Sequence, residues 1–204
     1  KYFTEFWPSD NTDPVERIFI QWGFSHFFPV KSMAAHVTSW GKQPLKFRLD
    51  VAMMCKLGFD IRTQQMTEKE LSLCHQAVSN FNRLKPVILD GDQYRLVSPY
   101  ETDHAAFLYT AKDRERAVLF AYNLHPRYAS PLNNVLLKGL DAKSFYRLNE
   151  LNVPAGSRKS TLSDKVYSGD YLMTVGIPVL SNRHTSSSVF ELVKEKRTIE
   201  SGTL

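Results

Sequence analysis

Apolar positions recur in two rhythms along the chain, and the rhythm changes near Lys85-Pro86, where a proline disfavours helix in the residue before it. That change places an expected domain boundary between residues 1–85 and 86–204. In the first part, Lys1 to Trp7 is aromatic and extended, and the polar corner Pro8-Ser9-Asp10-Asn11-Thr12-Asp13 turns the chain into a helix. Asp13 is placed to cap that helix, Pro14 suits its first position, and Glu16 stands at the third position of a capping box. Val15, Ile18, Phe19 and Trp22 then form one apolar stripe. Pro29 ends the helical region, and Met33-Ala34-Ala35-His36-Val37 reads as a short buried strand. After a loop holding Trp40-Gly41 and Pro44, Arg48 to Leu57 reads as a second helix closed by Gly58, with Phe59-Asp60-Ile61 as a third strand. Thr67 and Glu70 form another capping box, behind which Leu71, Cys74, Val78 and Phe81 share one helical face.

Three strand-then-helix units therefore occupy the first part, at roughly 30 residues each, the pace of a TIM-type barrel. Three units do not close a barrel, which takes about eight strands. The second part is β-rich, with apolar runs at Tyr94–Val97, Phe107–Tyr109, Ala117–Leu124, Val135–Leu140, Phe145–Leu148, Tyr171–Leu180 and Ser188–Val193. Turn signals at Asp90-Gly91, Lys138-Gly139 and Ser168-Gly169-Asp170 punctuate them, a pattern that predicts an antiparallel β-sandwich. Glu195 to Leu204 is a polar tail. The expected fold class is α/β followed by all-β.

With 204 residues, the chain is too short for a complete (β/α)8 barrel of about 250. Hydrophobic residues at 43% and charged residues at 23% exclude disorder and collagen. A net charge of +5, spread along the chain without a basic stripe, gives no reason to expect a nucleic-acid partner. No stretch approaches the roughly 20 apolar residues that span a bilayer, so no membrane partner is expected. The start, Lys1-Tyr2-Phe3-Thr4, has no signal-peptide core, so the chain is soluble or has lost a targeting segment. The compartment stays open between cytoplasm and periplasm. A first residue other than Met, followed directly by fold-interior sequence, points to a piece of a longer chain. Cys55 and Cys74 sit in helix-like segments outside any metal spacing and are expected to be buried free thiols. Asp90-Gly91-Asp92 lacks the later glutamate of a calcium loop. Neither metal nor cofactor is expected.

The residues from Trp7 to Arg17 carry the candidate chemistry. A carboxylate at the carboxyl end of a barrel strand lies on the face where such enzymes place catalytic groups. Asp13 already serves as a helix cap, whereas Asp10 has no evident local partner. Against a catalytic Asp10 stands a plain turn, since Ser, Asp and Asn favour turns for local hydrogen-bonding reasons.

Ser9, Asp10, Asp13 and Arg17 fill the SDxxDxxxR pattern, which resembles the acid/base motif of the glycoside hydrolase family 36 α-galactosidases, or melibiases. The likeness continues in order through Ile20-Gln21-Trp22-Gly23, Met33-Ala34-Ala35-His36-Val37, Arg48 with Val51-Ala52-Met53, and Leu57-Gly58-Phe59-Asp60. Beyond residue 86 it includes Tyr94-Arg95-Leu96-Val97-Ser98-Pro99, Lys138-Gly139-Leu140-Asp141 and Tyr167-Ser168-Gly169-Asp170-Tyr171-Leu172-Met173.

The resemblance implies the last three βα units of a (β/α)8 barrel followed by a β-sandwich. It also implies retaining hydrolysis of terminal α-linked galactose from an oligosaccharide by two carboxylates, with Asp10 as the acid/base. The family's nucleophile lies in a Lys-aromatic-Asp motif that this sequence lacks, as it lacks the earlier glycine-and-cysteine loop and the acidic pair that hold galactose. The isolated chain is therefore expected to be inactive and to need the upstream part of its own chain. Cys55 and the Thr38–Phe47 loop depart from the family's pattern, which puts linkage and chain-length preference in doubt.

Trp7 is a candidate sugar platform or a core aromatic. Arg17 either pairs with Asp13 at i,i+4 or reaches the site. His36 is a pocket candidate or a satisfied interior histidine, and Trp40 a subsite platform or a contact to a neighbouring subunit. Exposed edges and apolar faces of an open barrel must be covered by missing chain, by homo-oligomer formation or by the sandwich. Competing readings are an α-N-acetylgalactosaminidase, a galactosyl transferase of the raffinose-synthase type, and a non-catalytic carbohydrate-binding module.

Overall fold

The computed structural model describes residues 4–125 and 127–196, so most of the polar tail from Glu195 and the first three residues lie outside the described residues. Helix α1 (Pro14–Phe24) starts at the predicted Asp13 cap, but the expected box with Glu16 is not closed, because the Asp13 N–H donates to Asn11 Oδ1 instead. Asp13 Oδ1 accepts from the N–H groups of Val15 (2.9 Å) and Glu16 (3.2 Å), with Pro14 at the first position. Val15, Ile18 and Trp22 are buried, while Phe19 is only half-buried.

Strand β1 (Ala34–Thr38) and strand β2 (Lys56–Asp60) pair in parallel, Ala34 opposite Lys56, His36 opposite Gly58 and Thr38 opposite Asp60. Parallel neighbours need a crossover. Helix α2 (Leu45–Ala52) supplies it. The first of the three expected strands is, among the described residues, a single parallel bridge. Phe6 donates to Ser32 O (2.8 Å) and accepts from Ala34 N–H (3.1 Å).

Gly58 does not close a helix. The second helix ends at Ala52, Cys55 lies in the bend that follows, and Gly58 falls in the middle of β2. It is glycine for a tertiary reason, since a Cβ there would stand 2.3 Å from His36 Cδ2 on the neighbouring strand.

Helix α3 (Glu68–Asp90) opens with the predicted capping box. Thr67 Oγ1 accepts from Glu70 N–H and Glu70 Oε2 accepts from Thr67 N–H. The helix then runs through Pro86 to Asp90 rather than breaking at Lys85. Lys85 and Pro86 are exposed, so water can meet the carbonyl that the proline leaves without a donor. Its buried face is Leu73, Cys74, Ala77, Phe81, Leu84, Val87 and Ile88, with Leu71 and Val78 at its margins.

Among the described residues the second part forms one six-stranded antiparallel sheet rather than two facing sheets. Its strands are β3 (Asp92–Val97), β4 (His104–Thr110), β5 (Arg116–Asn123), β6 (Phe145–Leu151), β7 (Val166–Ser168) and β8 (Ser186–Lys194), in spatial order β3-β4-β5-β8-β6-β7. Period-two alternation divides it into two buried faces. Phe107, Tyr109, Val118, Phe120, Tyr122 and Val189 join one core with the apolar faces of α1, α2 and α3. Ala106, Leu108, Leu119, Leu148 and Leu192 pack instead on Val135, Leu137, Leu140, Leu172 and Ile177.

The segment read as strand from Tyr171 to Leu180 begins as a short helix, α4 (Gly169–Thr174), because Ser168 Oγ accepts from Tyr171 N–H and caps it. Val135–Leu140 contributes only a one-residue bridge, Val135 to Ile177. Helix and bridge thus take the place of the second sheet on that face.

Polar bonds lock the sheet to α2. Tyr122 donates to Asp50 O (2.8 Å) and Tyr109 to Met54 O (3.0 Å), meeting carbonyls at and just beyond the end of the helix. The wholly buried Asp50 carboxylate accepts from Lys46 Nζ (2.6 Å), Asn152 Nδ2 (2.7 Å) and Ser187 Oγ (2.6 Å). Asn80 Nδ2 on α3 completes the junction at Asn152 Oδ1 (3.0 Å).

Candidate functional site

Because Phe6, β1 and β2 run parallel, the residues that leave their carboxyl ends gather at one edge. Asp10 follows the Phe6 bridge, Thr38 ends β1 and Asp60 ends β2. A polar cleft of about 710 Å³ opens there, and Asp10, Thr12, Thr38, Trp40, Asp60, Arg62 and Gln65 are among the residues that line it.

The corner before α1 is built from successive side-chain turns. Ser9 Oγ accepts from Asn11 N–H (3.1 Å), Asn11 Oδ1 from Asp13 N–H (3.0 Å), and Asp13 caps the helix. Thr12 Oγ1 accepts from Thr38 Oγ1 (3.1 Å), tying the corner to β1. Asp10 is exposed, and its carboxylate makes no hydrogen bond or ion pair among the described residues. The turn is thus held by Ser9, Asn11 and Asp13, and does not use Asp10.

Arg17 lies behind the corner, 3% exposed. Its Nη1 donates to Ser9 O (3.0 Å), its Nη2 to Ala34 O (3.1 Å), and its guanidinium carbon stands 4.9 Å from the centre of the Trp7 ring. Burial lowers its pKa, an effect partly offset by Cys55, whose own thiol burial pushes up to about 12. The side-chain pair with Asp13 does not form, because the Asp13 carboxylate is turned to the helix N–H groups. What joins the two residues is a backbone bond, Arg17 N–H to Asp13 O (2.9 Å).

Trp7 packs on His36 at a tilt of 49°, ring centres 4.4 Å apart, and His36 occupies the space that Gly58 leaves. Neither ring lines the cleft. The five residues singled out in the sequence therefore fall into two adjoining groups. Asp10 and Trp40 share the cleft, while Trp7, Arg17 and His36 form a packed layer joined to it through the Ser9 carbonyl.

Trp40 is 60% exposed. Its backbone N–H donates to Thr38 Oγ1 (3.2 Å), and the next residue, Gly41, has φ +80° and lies against the helix cap. A Cβ on Gly41 would meet Pro14 Cδ at 2.7 Å and Asp13 Oδ2 at 2.8 Å. Thr12, Thr38, Asp60, Arg62 and Gln65 were not singled out from sequence. The signal was there for Thr38 and Asp60, each the last residue of a parallel strand, once the strand ends were known. Among the described residues no group of three or more His, Cys, Asp or Glu side chains is arranged to hold a metal ion, and no helix is long and apolar enough to cross a membrane.

The chain is similar to known proteins over most of its length. The Melibiase family model matches residues 1–91, and the glycosyl hydrolase family 36 C-terminal domain matches residues 104–192. The chain is 34% identical over 184 residues to the probable alpha-galactosidase C of Aspergillus terreus, covering 87% of this chain and 23% of that protein. It is 32% identical over 182 residues to the alpha-galactosidase AgaA of Geobacillus stearothermophilus, covering 86% and 23%. Among solved structures, the GH36 alpha-galactosidase AgaB of Geobacillus stearothermophilus superposes with a TM-score of 0.83 at 30% identity, over 95% of this chain and 26% of that one. A variant of AgaA in complex with raffinose superposes with a TM-score of 0.80 at 29% identity, over 92% and 25%. The chain thus spans about a quarter of the length of these relatives.

Proposed function

The chain belongs to glycoside hydrolase family 36, and from that premise we propose that it is the carboxyl-terminal part of a retaining α-galactosidase in which Asp10 is the acid/base. The observation that carries this reading is the placement of Asp10. It is a carboxylate with no structural partner among the described residues, at the carboxyl edge of parallel strands, opening on a polar cleft beside an exposed tryptophan.

In the reaction Asp10 gives its proton to the glycosidic oxygen while a second carboxylate, outside this chain, attacks the anomeric carbon. The C–O bond breaks, the leaving sugar departs as an alcohol and a galactosyl ester forms. Asp10, now ionised, takes a proton from water, whose oxygen displaces the ester carboxylate and releases galactose. Arg17 is a positioning residue in this scheme, since it touches Ser9 and Ala34 backbone rather than the cleft. The tilted Trp7–His36 pair supports the same wall from the strand side.

Two features support a larger barrel around this piece. Phe6 presents only one bridged residue at the strand edge. Beside it, α1 carries an apolar groove of about 660 Å³ lined by Phe19, Phe24, Phe27, Phe28 and Tyr100, with Phe27 84% exposed. A groove of this kind is a surface that the preceding barrel units would cover. The chain alone then lacks the nucleophile and does not turn over.

The test is hydrolysis of an aryl α-galactoside by the polypeptide that carries these residues together with the preceding barrel units. Asp10→Asn is expected to lower kcat by about 10³-fold or more, with an unchanged circular dichroism spectrum. Full activity in Asp10→Asn would return Asp10 to a turn residue and make Asp13 the next to test. Turnover by the 204-residue chain alone would remove the fragment reading.

A further inference from the structure

The corner that carries Asp10 is held from a second side, where β1 ends. Thr38, the last residue of that strand, is buried, and its hydroxyl donates to Thr12 Oγ1 (3.1 Å) while accepting from the Trp40 backbone N–H (3.2 Å). Thr12 lies two residues beyond Asp10, so this one hydroxyl ties the Asp10 turn to the strand. The Thr38 carbonyl accepts in turn from Arg48 Nη1 (2.8 Å), a side chain of α2 that is not among the residues lining the cleft. Arg48 Nε is buried with no acceptor among the described residues, and Glu70, whose charge acts on Arg48, is bonded to Thr67 instead. A half-buried guanidinium spent on one backbone carbonyl gives up hydration for a single bond, and that bond fixes the end of β1.

We propose that Arg48, acting through Thr38 and Thr12, is a positioning residue for Asp10, the counterpart on the strand side of Arg17 on the helix side. The inference rests on the reading of Asp10 as acid/base. Arg17 fixes Ser9, the residue before Asp10, and the series Arg48, Thr38, Thr12 fixes the residue two beyond it. The Asp10 carboxylate makes no hydrogen bond among the described residues, so the backbone on its two sides sets where it presents its proton. A proton donor must stand within roughly 3 Å of the glycosidic oxygen, and a displacement of about 1 Å takes it out of reach. Loosening the strand side therefore weakens protonation of the leaving group and spares the attack by the nucleophile, which comes from outside this chain.

The test uses the full polypeptide, wild type and the variants Arg48→Met, Arg48→Lys, Thr38→Val and Asp10→Asn, on two substrates. Phenyl α-galactoside has a leaving group that needs a proton, and a dinitrophenyl α-galactoside has one that departs as a stable anion. The measured quantity is the ratio of kcat/KM for the first to that for the second, since a loss of general structure lowers both alike. Acid catalysis supplies roughly 10²–10⁴-fold, and Arg48→Met and Thr38→Val are expected to forfeit part of it, lowering the ratio about tenfold. Arg48→Lys keeps a donor for the one carbonyl and should hold the ratio within about threefold. Asp10→Asn should lower it further than any of them. Thermal melting checks that each variant folds, and Thr38→Val, which keeps the side-chain shape, decides should Arg48→Met fail to fold. A ratio unmoved in the deciding variant, with that of Asp10→Asn lowered, overturns the role of Arg48 and leaves the acid/base reading standing. An unmoved ratio in Asp10→Asn, or a wild type silent on both substrates, overturns that reading and this inference with it.

Discussion

Arg17 donates to the Ser9 carbonyl at 3.0 Å, so a side chain one turn inside α1 pins the residue that precedes Asp10. The same guanidinium reaches Ala34 O on β1, and it therefore fixes the corner against the strand as well as against the helix. Lysine has one ammonium in place of this planar fork and cannot hold both carbonyls in the same geometry. Arg17→Lys is expected to cost about 1.5–3 kcal/mol, the range for a buried charge-assisted hydrogen bond, read as a fall in Tm. In the full polypeptide it should also lower kcat about tenfold with little change in KM, because the corner that carries Asp10 loosens. An unchanged kcat would detach Arg17 from the site and leave it a stability residue.

Gly58 and His36 share one register position of the parallel pair, and the histidine ring fills the volume a Cβ would need. Gly58→Ala forces that ring from its place on Trp7, and overpacking of this kind costs about 1–3 kcal/mol. The double variant Gly58→Ala with His36→Ala, which removes the clash, should recover most of the loss. Thermal melts of the two proteins decide it, and a double variant no more stable than Gly58→Ala would place the strain elsewhere.

These two positions mark how far the sequence carries. The Asp13 cap and the Thr67–Glu70 box were legible because each is completed within four residues. The polar corner was legible for the same reason, and its Asp10 stood out because no neighbour claimed it. Gly58 was misassigned as a helix stop because its need for a missing Cβ comes from a ring on another strand. Spacing offers Arg17 either Asp13 or the site, whereas its acceptors, Ser9 O and Ala34 O, are set by how the corner folds back on β1. Asp60 and Arg62 were passed over because a strand end becomes a site only when its parallel neighbours end beside it. Tyr171–Leu180, apolar enough for a strand, starts as a helix because Ser168 caps it there.

Asp50 is the buried charge on which the two parts meet, with Lys46, Asn152 and Ser187 all donating to it. Asp50→Ala leaves Lys46, whose side chain is 17% exposed, and the Ser187 hydroxyl without this acceptor, and leaves Asn152 Nδ2 only Met53 Sδ at 3.0 Å. Removing one partner of such a group costs on the order of 3–5 kcal/mol. At about 2–4 °C per kcal/mol for a chain of this size, Tm should fall by roughly 6–20 °C. Asn152→Ala removes one donor and keeps the ion pair, so its loss should be clearly smaller. Equal losses in the two variants would mean that the Asn152 turn, at φ +54°, and not the charge, holds the junction.

Glu70 gives the pH dependence a definite sign. Hydrogen bonds from the Thr67 backbone N–H and then its hydroxyl hold the Glu70 carboxyl below its ordinary value of 4.5. A carboxylate with a depressed folded pKa stabilises the fold above its unfolded pKa, and that contribution is lost as pH falls through the folded value. The Tm difference between wild type and Glu70→Gln should therefore be constant from pH 7 down to about 5. It should then shrink as pH falls below 4.5 and close once the folded carboxyl has protonated. Thr67→Ala removes the hydroxyl donor and keeps the backbone N–H, so it should make the same acid limb shallower while Glu70 remains. A wild-type advantage over Glu70→Gln that persists unchanged to pH 2 would show that the box acts through its neutral hydrogen bonds and not through the charge.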